Sequence, residues 1–310
     1  MKYSFKKPLT GLEIDDLSLK MVQIIKEKKG WRLISCTEVP LQYETVELSH
    51  KDENIIDPYN FKNAMEEALE NMSGKISRIG LSLPNESLKI TTHSLEDLHG
   101  KRTKVKDLIA WKEKATLPFP IEKAKITFFP FHPKSMEGKS YYIVAIGFQD
   151  IINDFEINLQ RLKIDAEVIR PSVINHINFY GESLANFGIT AFLGLFKRYF
   201  SFFVFEDGQM MFYRGKRRSD SYFHFIQEID MTIELFLREY PDKMIETLSL
   251  GSQIEVTTDL KSELESYSDI DIDVINEEDL ITLDQSLKND EPLNIGMYTS
   301  AIGAAQSLIE

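Results

Sequence analysis

Few side chains in this sequence stand where chemistry could use them. Six histidines, His50, His93, His99, His132, His176 and His224, offer no pair at the helical spacing that grips a metal ion from one face. They read as surface or core residues. Ser82, in GLSLPNES, lacks the glycine frame that lifts a nucleophile onto a sharp strand-to-helix turn, and no Ser/His/Asp arrangement has local support. Cys36 is the single cysteine, which excludes an internal disulfide, and the Cys/His spacing forms no zinc pattern. What remains is charge. Glu13 and Asp15 precede Lys20 closely enough for ion pairing, and on residue type alone the two carboxylates read as solvated turn residues. Arg214, Lys216, Arg217 and Arg218 form the one concentrated basic segment, which reads as a solvated turn before a docking surface. No catalytic residue and no metal ligand is expected.

Composition bounds the possible partners. The chain has 310 residues, 43% apolar and 27% charged, which suffices for two cores and is unlike a disordered or fibrous chain. With 49 acidic against 36 basic residues the formal charge is -13, so nucleic acid and anionic lipid are repelled on average. The amino-terminal MKYSFKKPLTG carries cations but no apolar stretch of signal-peptide length follows it, and a cytoplasmic location is expected. The most apolar region, 189–205, is interrupted by Lys197 and Arg198 and falls short of the roughly 20 apolar residues of a spanning helix. Buried strands are expected there, and solvated loops or strand edges over the acidic runs 44–57 and 269–284.

The elements that must position these residues follow from periodicity. Strands are expected over 12–14, 19–25 and 31–39, a helix over 61–72 and a strand over 76–83. A helix over 104–115 is stopped by Pro118 and Pro120, and strands over 123–131 and 141–147 flank the turn-like PKSMEGKS. Then come a helix over 148–162, a strand over 166–169 and a helix over 173–184. Strands over 189–195, 199–205 and 209–213, the last pair joined by Asp207-Gly208, repeat the amino-terminal meander. Helices over 221–238 and 257–265 alternate with strands over 244–250 and 270–274, and a small-residue helix covers 297–308. Two similar halves, each a meander followed by alternating helix and strand, imply an α/β chain with an internal duplication.

The segment GLEIDDLSLKMVQI, residues 11–24, resembles the first phosphate-loop segment of the type IV pilus assembly protein PilM family. LPFPIEKAKITFFPF, 117–131, resembles that family's entry into a small inserted subdomain, and residues 141–180 resemble the strand, helix and strand that follow. FFVFEDGQMMFYR, 202–214, is similar to the second meander, LSLGSQ, 248–253, to the adenosine-side turn, and TSAIGAAQSL, 299–308, to the closing helix. No one segment is specific; their colinearity carries the resemblance. It implies a duplicated actin-like, ribonuclease H-like fold: a first half over 1–90 completed by 164–190 and 297–310, a small inserted subdomain over 91–163, and a second half over 191–296 with a reduced insertion.

Departures from the family pattern bear on function. Glycine turns let backbone amides approach phosphates, and carboxylates organise metal and water. Glu13 stands where the family has aspartate, and Asp15 where it has glycine, in a loop that continues through Ser18 and Lys20. Two unit charges about 4 Å apart repel by about 4 kcal/mol at an intermediate dielectric, enough to weaken phosphate binding several hundredfold. Gly194 takes the place of the second-loop aspartate, Phe196 the place of its glycine, and Ser252 that of the glycine after Gly251. The link from Arg214 to the helix near Ser221 is short where nucleotide-binding relatives carry a base-covering subdomain. The same shortening is similar to the cytoplasmic actin-like domains of the GspL and MshI families.

The resemblance therefore implies a cytoplasmic scaffold with a degenerate nucleotide site, not an enzyme and with no cofactor. Its expected ligand is the cytoplasmic tail of a PilN-like inner-membrane protein, with assembly-platform or motor proteins as further partners, no nucleic acid, and membrane association only through the partner. The residues that hold the tail are not identified by sequence. The alternatives are a divergent member that still binds ATP with magnesium, and a GspL-type cytoplasmic domain of a secretion system.

Overall fold

The computed structural model describes residues 7–96, 102–131, 138–185, 188–245, 247–256, 258–267, 270–288 and 292–309. His99, His132 and the tip of the PKSMEGKS turn lie outside them. In chain order the elements are β1 (Leu9–Ile14), β2 (Ser18–Lys26), β3 (Trp31–Pro40), α1 (Pro58–Glu70), β4 (Arg78–Leu83), β5 (Lys89–Glu96), α2 (Arg102–Glu113), β6 (Ala124–Phe131), β7 (Lys139–Phe148), α3 (Gln149–Arg161) and β8 (Asp165–Pro171). There follow α4 (Ser172–Tyr180), β9 (Ile189–Leu195), β10 (Tyr199–Glu206), β11 (Gln209–Arg217), α5 (Tyr222–Glu239), β12 (Thr247–Ser252), α6 (Thr258–Tyr267), β13 (Asp271–Val274), β14 (Thr282–Leu283) and α7 (Thr299–Gln306).

The duplication is explicit in the strand order. One sheet runs β14-β3-β2-β1-β4-β8 and another β11-β10-β9-β12-β13. In each, three strands linked by hairpins pair antiparallel and two further strands add in parallel through helical crossovers, and the first sheet carries a sixth strand, β14, parallel to β3. A third, small sheet has the order β5-β7-β6. Two compact units result: Met1–Leu88, Gly147–Tyr180 and Asn276–Glu310 form the first, and Lys89–Ile146 and Gly181–Ile275 the second. Of the segment 91–163, the small sheet and α2 gather with the second unit, whereas α3 joins the first because Ile151, Phe155 and Leu159 enter its core.

That first core sets Leu12, Ile14, Leu19 and Met21 of the hairpin against Phe61, Met65 and Ala68 of α1. Asp57 starts α1 by accepting hydrogen bonds from the Tyr59 and Asn60 amides, with Pro58 supplying the preset first turn. The small-residue helix α7, buried along its whole length, lies close against β1, β4 and α4. A Cβ on Gly11 would sit 1.9 Å from the Ala301 carbonyl oxygen, and one on Gly80 1.9 Å from that of Ala304. These glycines let a helix backbone approach a strand.

In the second unit, Phe200, Phe202 and Val204 of β10 pack with Phe225, Ile229 and Phe236 of α5 and with Leu250, Leu264 and Ile272. Phe203 takes the other face beside Phe192 and Tyr213, as alternation along a strand requires. The apolar region 189–205 is therefore strand and core, and among the described residues no helix is long and apolar enough to cross a membrane. Only residues 218–221 join β11 to α5.

Two strands have no counterpart in the sequence reading. β5, KITTHSLE, exposes polar residues on much of its surface and lacks apolar alternation, and β14 is two residues long. Pairing with β7 and β3 defines them, and such pairing is set by residues remote in sequence.

Candidate functional site

Residues 15–17 form the turn between β1 and β2. Asp15 closes it: one carboxylate oxygen accepts from the Leu17 amide at 2.7 Å and the Ser18 amide at 2.8 Å, while the Asp15 amide donates to the Ser18 carbonyl at 3.1 Å. This is the short polar side chain's usual service to a turn, and glycine could not perform it. The other Asp15 oxygen lies 3.4 Å from the Lys20 ammonium.

Register places the rest. Lys20 faces Glu13 on β1 and Glu38 on β3, so the three stand in one row across the sheet. Glu13 is 4% and Lys20 7% exposed. Ser18 donates to Glu38 at 2.8 Å. Burial alone would lower the Lys20 pKa, but Glu13, Asp15 and Glu38 outweigh it and hold the ammonium above the ordinary lysine value. The cation of this hairpin is thus surrounded by three carboxylates of its own chain. A phosphate arriving here would meet net negative charge and would have to compete for a lysine already in use.

The second hairpin is equally occupied. Gly194 lies inside β9, opposite Ser201 of β10 and Gly251 of β12. Phe196 begins the turn to β10, its amide donating to the Tyr199 carbonyl at 2.9 Å. Its ring is buried and lies edge-on to Tyr199, 6.3 Å between centroids. Tyr199 in turn meets the Tyr213 hydroxyl at 3.3 Å, above Gly215, where a Cβ would approach those hydroxyls to 2.1 and 2.3 Å. Ser252 ends β12, donating to the Ile254 carbonyl at 2.7 Å while the Gln253 amide donates to Leu195 at 2.9 Å. Glu13, Asp15, Ser18 and Lys20 are therefore assembled in one cluster of the first unit, and Gly194, Phe196, Gly251 and Ser252 at adjoining strand ends of the second. Each turn is closed by contacts among its own residues.

Two further groups escaped the sequence reading. Glu38 completes the row but is brought to Lys20 by a strand pairing 18 residues away in sequence, past a register shift at Gln23 and Ile24, so spacing carries no signal of it. In the second unit Glu113 of α2, 5% exposed, accepts from Lys89 at 2.6 Å, His93 at 2.6 Å and Thr116 at 2.7 Å. Burial would raise its pKa, but those hydrogen bonds prevail and leave it below the usual carboxylate range. A carboxylate with three donors is poorly basic; it clamps α2 to β5. Cys36 is hydrogen-bonded to Tyr298, and burial pushes its thiol up to about 11, which favours the protonated form at neutral pH. Among the described residues, no group of three or more His, Cys, Asp or Glu could hold a metal ion. A cavity of about 330 Å³ lined by Leu9, Thr10, Gln23, Ile76, Arg78 and Leu308 opens at the start of β1, the end remote from the Asp15 turn.

No protein-family model matches the chain, and no curated protein matches it in sequence. Solved structures do. A chain of the PilM-PilN type IV pilus biogenesis complex superposes with TM-score 0.79 at 16% identity, over 98% of this chain and 99% of that one. A Bacteroides thetaiotaomicron protein with an actin-like ATPase fold and unknown function gives 0.57 at 9% identity, over 96% of each chain. The cytoplasmic domain of EpsL, an inner-membrane component of the type II secretion system of Vibrio cholerae, gives 0.51 at 10%, over 97% of this chain and 95% of that one. The fold is actin-like, as the colinear segments and the repeated meander led us to expect.

Proposed function

We propose that the chain is a scaffold or adaptor of a type IV pilus or related secretion assembly platform, binding the cytoplasmic tail of a PilN-like inner-membrane partner without hydrolysing ATP. The similarity to a chain of a PilM-PilN complex supports the partner class. The observation that carries the absence of nucleotide chemistry is the hairpin cluster: Lys20 held among Glu13, Asp15 and Glu38, where a phosphate loop would keep its cation and amides free. Docking an extended tail needs backbone partners and apolar pockets, not catalytic carboxylates, so filling this site leaves such binding untouched. The protein would sit at the cytoplasmic face of the inner membrane through its partner, with assembly-platform or motor proteins as further contacts. Calorimetric titration with ATP and magnesium tests the nucleotide half of this proposal. No saturable heat and no phosphate release above background are expected; micromolar binding that disappears in Lys20→Ala would show that the hairpin still serves a nucleotide.

A further inference from the structure

Two exposed apolar surfaces of this chain have opposite charge. The first is the loop before α1 together with that helix's first turn. Tyr43 is 91% exposed, Tyr59 72% and Ile56 48%. They are not carried on a slack segment, because Val46 and Ile55 are buried and bridged, and the Ile56 and Asp57 amides both donate to the Thr45 carbonyl. Asn54, fully buried, donates to the Ser49 and Asp52 carbonyls at 2.7 and 2.9 Å and accepts from Ser87. The fold thus holds in place the backbone that carries three exposed large side chains. Residues 43–57 carry five acidic side chains, Glu44, Glu47, Asp52, Glu53 and Asp57, against Lys51 alone.

The second surface is the outer face of α2. Trp111 is 76% and Leu108 39% exposed, and with Lys104 they lie at i, i+4 and i+7, one stripe of the helix. Lys106 and Lys112 flank them, against one exposed carboxylate, Asp107, while the acidic side chain of the last turn, Glu113, is turned inward and spent on Lys89 and His93. A cationic Leu/Trp ridge in a chain of net charge -13 is the complement of an acidic Tyr/Ile/Tyr platform.

We propose that the platform of Tyr43, Ile56 and Tyr59 receives the Lys104, Leu108 and Trp111 ridge of a second copy of this chain. The two patches differ, so the contact is heterologous: each copy uses one patch on each neighbour, and copies add head to tail. Burial of Trp111 and the tyrosines supplies the attraction, and the lysines opposite the acidic loop set the orientation. With only five large side chains engaged, the single contact is weak and depends on protein concentration.

Complementation in sedimentation velocity tests it. The wild-type chain should sediment faster as concentration rises. Leu108→Ser/Trp111→Ser and Tyr43→Ser/Tyr59→Ser should each remain monomeric, at wild-type melting temperature because the side chains are exposed. An equimolar mixture of the two variants should restore association and stop at a one-to-one dimer, since only one intact pair of patches is left. A wild-type chain that stays monomeric up to millimolar concentration would overturn the proposal and leave the surfaces to a different partner. Self-association surviving in either variant, or a mixture that stays monomeric, would overturn it equally, the first pointing to pairing of like patches.

Discussion

Lys20 concentrates the chemistry of the first hairpin into one ammonium. It lies in a row with Glu13 and Glu38 and touches Asp15. Removing it leaves three carboxylates facing one another, two of them partly or wholly withdrawn from water, so Lys20→Met should cost about 3 kcal/mol of stability, read as a lower denaturant midpoint. Adding Glu13→Gln should recover part of that loss, because it removes one of the uncompensated charges. A Lys20→Met midpoint equal to wild type would mean that the row is not a coupled unit. The sequence places Glu13, Asp15, Ser18 and Lys20 in one short stretch, and the structure gathers them. Asp15 does serve the turn that its residue type suggests, one oxygen on two amides, whereas Glu13, read alike as a solvated turn residue, is buried within β1. Glu38 is invisible for the same reason that any cross-strand partner is, since register is fixed by the hairpin and not by local pattern.

Elements with strong periodicity were legible, and those defined by their neighbours were not. The helices α1, α3 and α5 bury stripes at helical spacing and stand within a few residues of where their patterns put them. The apolar β9 and the phenylalanine-rich β10 are recognisable because both faces are buried. β5 instead owes its existence to β7 on one edge and to the Lys89, His93 and Glu113 clamp that brings α2 onto it. That clamp makes the α2–β5 contact sensitive to acid. The folded-state pKa of Glu113 lies below its ordinary value of 4.5, so its contribution is complete above the unfolded value and is lost as pH falls through the folded one. The protection factors of the α2 amides, in which the intrinsic pH dependence of exchange is divided out, should therefore stay high at neutral pH and fall in acid, below the ordinary carboxylate range. In Glu113→Gln they should already be low at pH 7. A variant with wild-type protection at both pH values would assign the helix's anchoring to its apolar contacts alone.

Over the whole chain, two sheets that share a five-strand order are what the repeated meander announces, and an actin-like fold is what colinearity of weak segments supports. The letters could not say how the duplicated frame is closed. Gly11 reads as the opening glycine of a phosphate loop, yet in the structure it also makes room for the backbone of α7, and Gly80 does the same on the neighbouring strand. At both positions the close approach of a helix backbone to a strand requires glycine whatever else the hairpin does. The scaffold reading makes a definite demand on the protein as a whole: tail binding and nucleotide must be independent. The direct measurement is calorimetric titration of a synthetic PilN-like cytoplasmic tail into the purified chain, first without nucleotide and then with saturating ATP and magnesium. Saturable one-to-one binding with the same dissociation constant in both buffers is the predicted result. No binding in either buffer, or binding that appears only with ATP and magnesium, would contradict it.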